Sequence, residues 1–367
     1  MRPCSAWYKF CMPSFEVCTP QRSYLAVVER GVLARAAQYL PQKRGKLFVV
    51  TTRDVWDLHG PTLASGLASE FELLFFPGGE DRKRFSEVEA LAEEMVGRGG
   101  DRSSLVIAFG GGIVNDLAGF LAAIFMRGIP VVQMPTTLLS QVDAGVGGKT
   151  GVNLVAGKNL IGAFHQPLIV LADPDVLSTL PEREYRAGLY EVIKCGVIRS
   201  PDLFALMAQR QDAVLARDPR VVERIIGESV RIKAEVVSAD EREGGLRRIL
   251  NFGHTLGHAL EAETGYSLFL HGEAVAFGMC AAAHLARLTG RLSPAECSQI
   301  VETTRSYGPI PSLRGILAEN LVRRLAHDKK TLQGRVHFVL PDRIGEVSIV
   351  TGVEEAVILE AARAALA

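Results

Sequence analysis

The order of strand-like and helix-like segments in the first half of the chain constrains the fold more than any other feature. Apolar runs such as KLFVVTT, FELLFF, SLVIAFGGG, PVVQMP and LIVLAD are interleaved with helical patterns such as SEVEALAEEMVGRG and NDLAGFLAAIFMRG. Strands that alternate with helices form parallel sheets with right-handed crossovers. The order therefore predicts a mainly parallel, Rossmann-like α/β domain.

The character of the sequence changes near residue 180. Long helical patterns follow, and only a short segment around VHFVL looks extended. We predict an α/β domain over 23–180 and a mainly α-helical domain over 181–367. The first 22 residues lack the apolar core of a signal peptide, and we expect them to be a poorly ordered leader.

Composition excludes several classes of partner. The 367 residues include 41 basic and 41 acidic side chains, so no net charge attracts nucleic acid or an anionic membrane. No apolar run approaches the roughly 18 residues that span a bilayer. The six cysteines form no CxxC pair, which favours a reducing, cytoplasmic setting.

The stretch DAGVGGKTGVN looks like a phosphate-binding P-loop but does not satisfy its pattern. Gly148, Lys149 and Thr150 match the end of that motif, whereas Asp143 stands where the first glycine belongs. The preceding MPTTLLSQV predicts a helical turn instead of the required strand. A glycine turn that presents a lysine remains, either to hold an anion or to allow close packing.

The stretch VIAFGGGIVNDLAGF is a better nucleotide-binding candidate. A strand, glycines and a helix start follow in the order that turns backbone N–H groups towards a pyrophosphate. Gly110 and Gly112 match the G-x-G-x-x-G pattern, but Asn115 occupies its third glycine position. Tight packing between strand and helix would explain the same glycines almost as well.

Three histidines lie in two glycine-rich helical segments. His254 and His258 share one helix face, and His271 opens the next helix. The H-E-x-x-H pattern is absent, and a single histidine is usually structural. With Glu191, which lies among apolar residues, the two segments could nevertheless supply the His/His/Glu set of a catalytic zinc site.

Taken together, several motifs resemble 3-dehydroquinate synthase in order and spacing. They are GGGIVNDLAGF, RGIPVVQMPTTLLSQVDAGVGGKTGVN, GKNLIGAFHQP, TLPEREYRAGLYEVIK, VVSADEREGGLRRILNFGHTLGHALE, LHGEAVAFGM and HDKK, and the resemblance covers roughly residues 45–350. It implies a dehydroquinate synthase-like fold, NAD on the N-terminal domain and Zn²⁺ (or Co²⁺) on the helical domain. It also implies a cytoplasmic homodimer.

The reaction implied by the resemblance belongs to the shikimate pathway of aromatic amino acid biosynthesis. 3-Deoxy-D-arabino-heptulosonate 7-phosphate becomes 3-dehydroquinate and phosphate. The steps are NAD-mediated transient oxidation, phosphate β-elimination, re-reduction, ring opening and intramolecular aldol closure, so NAD is recycled. The substrate's own phosphate can serve as the base of the elimination.

The resemblance also implies roles for individual residues. Metal ligands are expected at Glu191, His254 and His271. Positions around the substrate phosphate are Arg127, Lys149, Asn159, His258 and Lys329, with Arg127 reaching across a dimer interface. Positions near the substrate carboxylate and hydroxyls are Lys194, Lys233, Arg247 and Asn251. NAD contacts are expected at Glu80, Lys83, Gly111, Gly112, Asp116, Thr136, Thr137, Asp143, Lys158, Thr179 and Glu184, and Asp54 could replace an acidic residue that is absent at Thr52.

The sequence departs from the family pattern on the cofactor side, where Asn115 replaces a common glycine and DAGVGG replaces DSSVGG. The alternatives are other sugar phosphate cyclases, such as aminodehydroquinate, 2-deoxy-scyllo-inosose or 2-epi-5-epi-valiolone synthases, and a metal-dependent polyol dehydrogenase. A non-catalytic NAD-binding protein would have lost metal or phosphate residues. Lys233, Arg247 and Asn251 favour a substrate that carries a carboxylate.

Overall fold

The structure is a computed structural model that describes residues 14–327 and 336–367. Its strands are β1 (Ser14–Cys18), β2 (Ser23–Val28), β3 (Leu47–Thr51), β4 (Glu72–Phe75), β5 (Leu105–Gly110), β6 (Val131–Pro135), β7 (Lys149–Leu154), β8 (Gly157–Phe164), β9 (Ile169–Ala172), β10 (His337–Arg343) and β11 (Glu346–Thr351). Its α-helices are α1 (Arg53–Leu67), α2 (Phe85–Gly97), α3 (Gly112–Ile124), α4 (Glu182–Arg199), α5 (Pro201–Gln209), α6 (Gln211–Leu215), α7 (Pro219–Ala239), α8 (His254–Glu263), α9 (His271–Leu288), α10 (Pro294–Ser306), α11 (Ala318–His327) and α12 (Glu355–Leu366).

Seven strands form one sheet in the order β1-β2-β9-β6-β5-β3-β4. All neighbours run parallel except β1, which is antiparallel to β2. The predicted α/β organisation of the first half and the mainly helical second half are confirmed. None of the helices in the described ranges is long and apolar enough to cross a membrane.

Strand β1 corrects the expected leader. Val17 is fully buried, and the N–H of Cys18 donates to Ser238 Oγ of α7 at 2.9 Å. Phe15 packs beneath Gly227 of the same helix. The expectation of disorder was therefore wrong for Ser14–Cys18, because pairing with β2 and packing on α7 order a segment whose own sequence is unremarkable. Residues 1–13 lie outside the described part.

Adjacent residues of the central strands face opposite sides of the sheet. In β5, Ile107 and Phe109 pack into the larger core, whereas Val106 and Ala108 pack into a second core with α2 and α3. Helices thus cover both faces, as is usual for parallel sheets. This burial on both sides explains why the strands read as continuous apolar runs.

The larger core continues from the sheet into the helical half, where it includes Ile193 of α4 and Ile226 of α7. The domain boundary near residue 180 therefore remains a prediction from the change in sequence pattern. Strands β10 and β11 form an antiparallel hairpin. Only the first of them was expected, because β11 is largely exposed and carries no continuous apolar run.

Helices α8 and α9 approach each other closely at glycines. A Cβ at Gly278 would lie 1.8 Å from the carbonyl oxygen of Gly253, and one at Gly257 would lie 2.9 Å from that of Ala274. Only glycine permits this spacing between the two backbones. Because His254 and His271 are the first residues of these helices, the contact also fixes the separation of the two imidazoles.

Candidate active site

Three histidines and a glutamate meet where α4, α8 and α9 pack together. Donor nitrogens of His254, His258 and His271, here called the histidine cluster, all lie within 4.8 Å of one another. From α4, Glu191 Oε1 lies 3.8 Å from His254 Nε2 and 3.6 Å from His271 Nε2. Ligand atoms of a tetrahedral zinc site, at bond lengths of about 2.0–2.1 Å, are roughly 3.3 Å apart. The three atoms are therefore close to the spacing that a metal ion requires.

In His254 and His271, the Nδ1 atom contacts a group other than Glu191. His254 Nδ1 lies 3.1 Å from the carbonyl oxygen of Phe252, which accepts only if Nδ1 carries the proton. Burial, with Lys194 and His271 nearby, lowers the pKa of His254 well below its ordinary value, so its imidazole is neutral. Its Nε2 then carries the free lone pair on the side of Glu191, where both groups can bind one metal ion.

Glu191 fits a metal ligand because it is fully buried and its Oε1 accepts no hydrogen bond from the described residues. Its Oε2 pairs with Lys194. Burial alone would lower the pKa of Lys194, but Asp143 and Glu191 outweigh that effect and raise it, so the lysine stays charged. Lys194 balances the charge at Oε2, whereas Oε1 faces two imidazole nitrogens and no described donor, so the residues present fit a divalent metal. The alternative third ligand, His258, has its Nε2 4.0 Å from Glu261 Oε2.

The turn between β5 and α3 forms a backbone cradle. Gly111 caps α3 without a side-chain hydrogen bond to the first N–H groups of the helix. A Cβ at Gly111 would lie 3.0 Å from Thr137, and one at Gly112 would lie 3.2 Å from Ala144. Thr136 joins the same turn by donating its N–H to the carbonyl of Gly110 at 2.9 Å. Uncapped N–H groups at a helix start suit a pyrophosphate, so the cradle fits NAD.

A second group of predicted cofactor residues lies beside this cradle. Lys83 is almost fully buried, pairs with Asp116 of α3 and donates to Asn159 Oδ1 at 2.7 Å. Asn153 Nδ2 donates to Glu80 Oε1 at 2.8 Å. The loop before α2, the start of α3 and the β7–β8 hairpin therefore meet at one place, although they are far apart in sequence.

The GGKT stretch occupies a turn that runs into a strand. Lys149 is the first residue of β7, whereas a P-loop lysine stands where a strand gives way to a helix. The absence of a P-loop is thus confirmed. Lys149 Nζ pairs with Glu243 Oε2, and Asn251 Nδ2 donates to Glu243 Oε1. Burial opposes ionisation of Glu243, but Lys149 and Asn251 hold its pKa below the ordinary value.

The backbone of this turn is held from two sides. Tyr24 of β2 accepts a hydrogen bond from the N–H of Gly147 at 2.9 Å, and Arg247 Nη2 donates to the Gly147 carbonyl at 3.0 Å. Gly147 has φ 100°, which favours glycine. Lys233 pairs with Asp143 at the preceding π-helical turn. Lys149, Lys233 and Arg247, three of the residues predicted to contact substrate, thus lie around one turn.

The family model of the 3-dehydroquinate synthase N-terminal domain matches residues 73–187, and that of the C-terminal domain matches residues 188–331. The chain belongs to the 3-dehydroquinate synthase family. The curated 3-dehydroquinate synthase of Solibacter usitatus (strain Ellin6076) is 65% identical over 97% of this chain and 100% of that relative. The resemblance inferred from sequence motifs is therefore confirmed.

Two solved sugar phosphate cyclases share the fold. One is 2-deoxy-scyllo-inosose synthase complexed with carbaglucose-6-phosphate, NAD⁺ and Co²⁺, at 27% identity and a TM-score of 0.85 over 95% of this chain and 99% of that one. The other is 2-epi-5-epi-valiolone synthase from Streptomyces hygroscopicus subsp. jinggangensis 5008 with NAD⁺ and Zn²⁺, at 30% identity and a TM-score of 0.86 over 94% and 97%.

Some residues assigned by the family resemblance lie apart from the centre or contact other groups. Arg127 is exposed beyond the C-terminal end of α3, a helix about 20 Å long, and therefore far from the cradle at its start. Asp54 is exposed in the first turn of α1, and Thr179 Oγ1 lies 2.9 Å from His59 Nε2 on that helix. Glu184 is half-buried on α4, and Lys329 falls outside the described residues.

Asn115, which departs from the family pattern, faces the sheet. It is 1% exposed, and its Nδ2 donates to the carbonyl of Ala108 in β5 at 3.2 Å. The residue thus ties α3 to its preceding strand. Thr52 lies near the loop before α2, where a Cβ at Gly78 would lie 3.5 Å from its Cγ2.

Sequence reasoning missed two glutamates. Glu243 joins Lys149 to Asn251, and Glu261 lies beside His258 and His271 while pairing with Lys158. Both stand in motifs that carried the family resemblance, but an acidic residue on a helix or turn usually faces solvent. The i, i+3 spacing of His258 and Glu261 was the available signal.

Proposed function

We propose that this protein converts 3-deoxy-D-arabino-heptulosonate 7-phosphate into 3-dehydroquinate and phosphate, with NAD and a divalent metal ion. The observation that carries the proposal is the convergence of Glu191 Oε1 with His254 Nε2 and His271 Nε2, beside Lys194. The 65% identity to a curated 3-dehydroquinate synthase over nearly the whole chain supports the same reaction.

Each group of side chains has a definite task in this proposal. When bound, the metal ion lowers the pKa of a substrate hydroxyl and NAD supplies reversible oxidation at that carbon. Lys194 places a charged hydrogen-bond donor beside Glu191, the carboxylate ligand of the metal ion. Lys149 and Asn251 hold Glu243 until a substrate phosphate competes for the lysine. His258, at the edge of the histidine cluster, can hold or pass a proton at Nε2, towards Glu261.

A carboxylate on the substrate is favoured by Arg247. The side chain is 1% exposed, and its Nε is a buried donor without a hydrogen-bond partner among the described residues. A buried unpaired donor is costly unless a ligand satisfies it. Together with Lys233, it offers the charge-assisted hydrogen bonds that a carboxylate accepts. A substrate without a carboxylate would leave this Nε donor unpaired.

A comparison of substrates separates 3-dehydroquinate synthase activity from that of cyclases whose substrates lack a carboxylate. The purified protein with NAD and Zn²⁺ should release phosphate from the heptulosonate phosphate and leave glucose 6-phosphate unchanged. Arg247→Lys should raise KM for the heptulosonate phosphate strongly, because a lysine cannot reproduce the planar donor set. Faster phosphate release from glucose 6-phosphate than from the heptulosonate would instead assign another cyclase activity.

Arg127 supports a homodimer in which each site is completed by the partner. Its side chain makes no ion pair with the described residues, and it lies in a left-handed turn beside the exposed Ile124 and Met126. Such a turn is costly for ordinary residues and is retained where the geometry is needed. An arginine there could enter a neighbouring subunit. A cytoplasmic setting remains part of this proposal.

A further inference from the structure

One buried carboxylate connects the histidine cluster to the β7–β8 hairpin. Glu261 lies on α8 and is only 2% exposed. Its Oε2 lies 3.4 Å from His271 Nδ1, while its Oε1 accepts a hydrogen bond from Lys158 Nζ at 3.0 Å. Lys158 belongs to β8, and its ammonium also lies 4.7 Å from the ring centre of Tyr266. Both oxygens of Glu261 are therefore engaged, each by a different part of the molecule.

The contact involves the nitrogen of His271 that faces away from Glu191. Its Nε2 lies 3.6 Å from Glu191 Oε1, so Nδ1 must carry the proton if Nε2 is to bind a metal ion. A carboxylate at Nδ1 selects that tautomer and orients the ring. The corresponding nitrogen of His254 donates to a backbone carbonyl, so only His271 relies on a side chain that a substitution can change.

We propose that Glu261 is a positioning residue that fixes the tautomer and orientation of His271 for the metal ion, with Lys158 holding Glu261 in place. The inference rests on the metal site of the proposed function. Glu261 is not one of the proposed metal ligands and acts on the metal site through His271. Lys158, for which the family resemblance implies an NAD contact, thereby ties the hairpin to the metal centre.

Zinc affinity tests the proposal without relying on turnover. Zinc dissociation constants of the apo-protein would be measured by competition with a chelator of known affinity. Glu261→Gln should raise the constant by about 10- to 100-fold, the usual effect of losing such a contact. Glu261→Asp, which keeps the charge but is shorter, should fall between Gln and the original residue. The matched control is Glu263→Gln on the same helix, which pairs with Arg324 and Asn320 and should leave zinc affinity unchanged.

A structural role alone would lower the melting temperature of the apo-protein and leave the zinc constant of the folded protein unchanged. If Glu261→Gln fails to fold, Glu261→Asp decides the question by the same titration. Zinc affinity equal to that of the unaltered protein in the folded variant would overturn the proposal. Glu191→Ala in the same titration keeps the two ideas separate: tight binding in that variant would refute the metal site itself, whereas loss there with full affinity in Glu261→Gln would refute only this inference.

Discussion

Glu191 Oε1 lies 3.6 Å from His271 Nε2, across the contact between the middle of α4 and the first residue of α9. Apart from the imidazole nitrogens of His271 and His254, this oxygen of the fully buried carboxylate has no polar partner within the described ranges. Lys194 balances the carboxylate at Oε2, which leaves Oε1 available to a metal ion that the two imidazoles share. This pair of residues defines the centre around which the remaining groups are arranged.

We predict that Glu191→Ala removes the bound metal. After dialysis against metal-free buffer, elemental analysis should find the metal content at background, because two histidines alone leave a zinc site one ligand short. Glu182→Ala, in the exposed first turn of the same helix, should retain the metal. His258→Ala should also retain it. If His258→Ala lost the metal and Glu191→Ala retained it, His258 instead of Glu191 would be the third metal ligand.

The hydroxyl of Tyr24 is expected to matter for both stability and substrate affinity. Tyr24→Phe leaves the N–H of Gly147 without its acceptor, which should lower the free energy of unfolding by about 1–3 kcal/mol. The turn that carries Lys149 should loosen, and KM for the phosphate substrate should rise. Denaturant titration and steady-state kinetics measure the two effects.

Tyr307→Phe provides the comparison for Tyr24→Phe. Its buried hydroxyl also bonds to the backbone, donating to the carbonyl of Met207 at 2.7 Å within the helical half. This variant should lose stability and keep its KM. An unchanged KM in Tyr24→Phe would show that the turn is held without the tyrosine hydroxyl.

Close packing of α8 on α9 predicts opposite effects for two glycine substitutions. Gly278→Ala should destabilise the protein by about 1–3 kcal/mol or more, since its Cβ would lie 1.8 Å from the Gly253 carbonyl oxygen. Gly227→Ala, inside α7, places a Cβ 3.7 Å from Phe15 and should gain up to about 1 kcal/mol from helix propensity. Thermal unfolding of both variants checks the sign of each change. Zinc affinity should fall only in Gly278→Ala, because Gly253 directly precedes His254.

Subunit mixing tests whether Arg127 acts in the partner's site. Arg127→Ala and Lys149→Ala should each be inactive. In a mixed dimer, one site would combine an intact Lys149 with the partner's intact arginine. Random reassociation should therefore restore about a quarter of the original activity. No recovery in verified mixed dimers would place Arg127 in the site of its own subunit.

Much of the architecture was predictable because buried parallel strands and long helices leave strong periodic patterns. Strand β1 was missed because its order depends on β2 and α7, and β11 was missed because it is largely exposed. The candidate metal-site residues were indicated by histidine spacing and by Glu191 in an apolar helix, and their assignment as ligands, which came from the family resemblance, remains a prediction. Glu243 and Glu261 were not, since their roles depend on Lys149, Lys158 and His271, which only the folded chain brings near them.

Oxidation at this site is expected to be transient and to end in phosphate elimination. The direct measurement is phosphate release from the heptulosonate phosphate with a catalytic amount of NAD, with NADH absorbance recorded in parallel. We predict many phosphates released per NAD, no net NADH, and loss of activity with EDTA that Zn²⁺ or Co²⁺ restores. NADH accumulating in proportion to substrate consumed, without phosphate, would contradict the account and indicate a simple dehydrogenase.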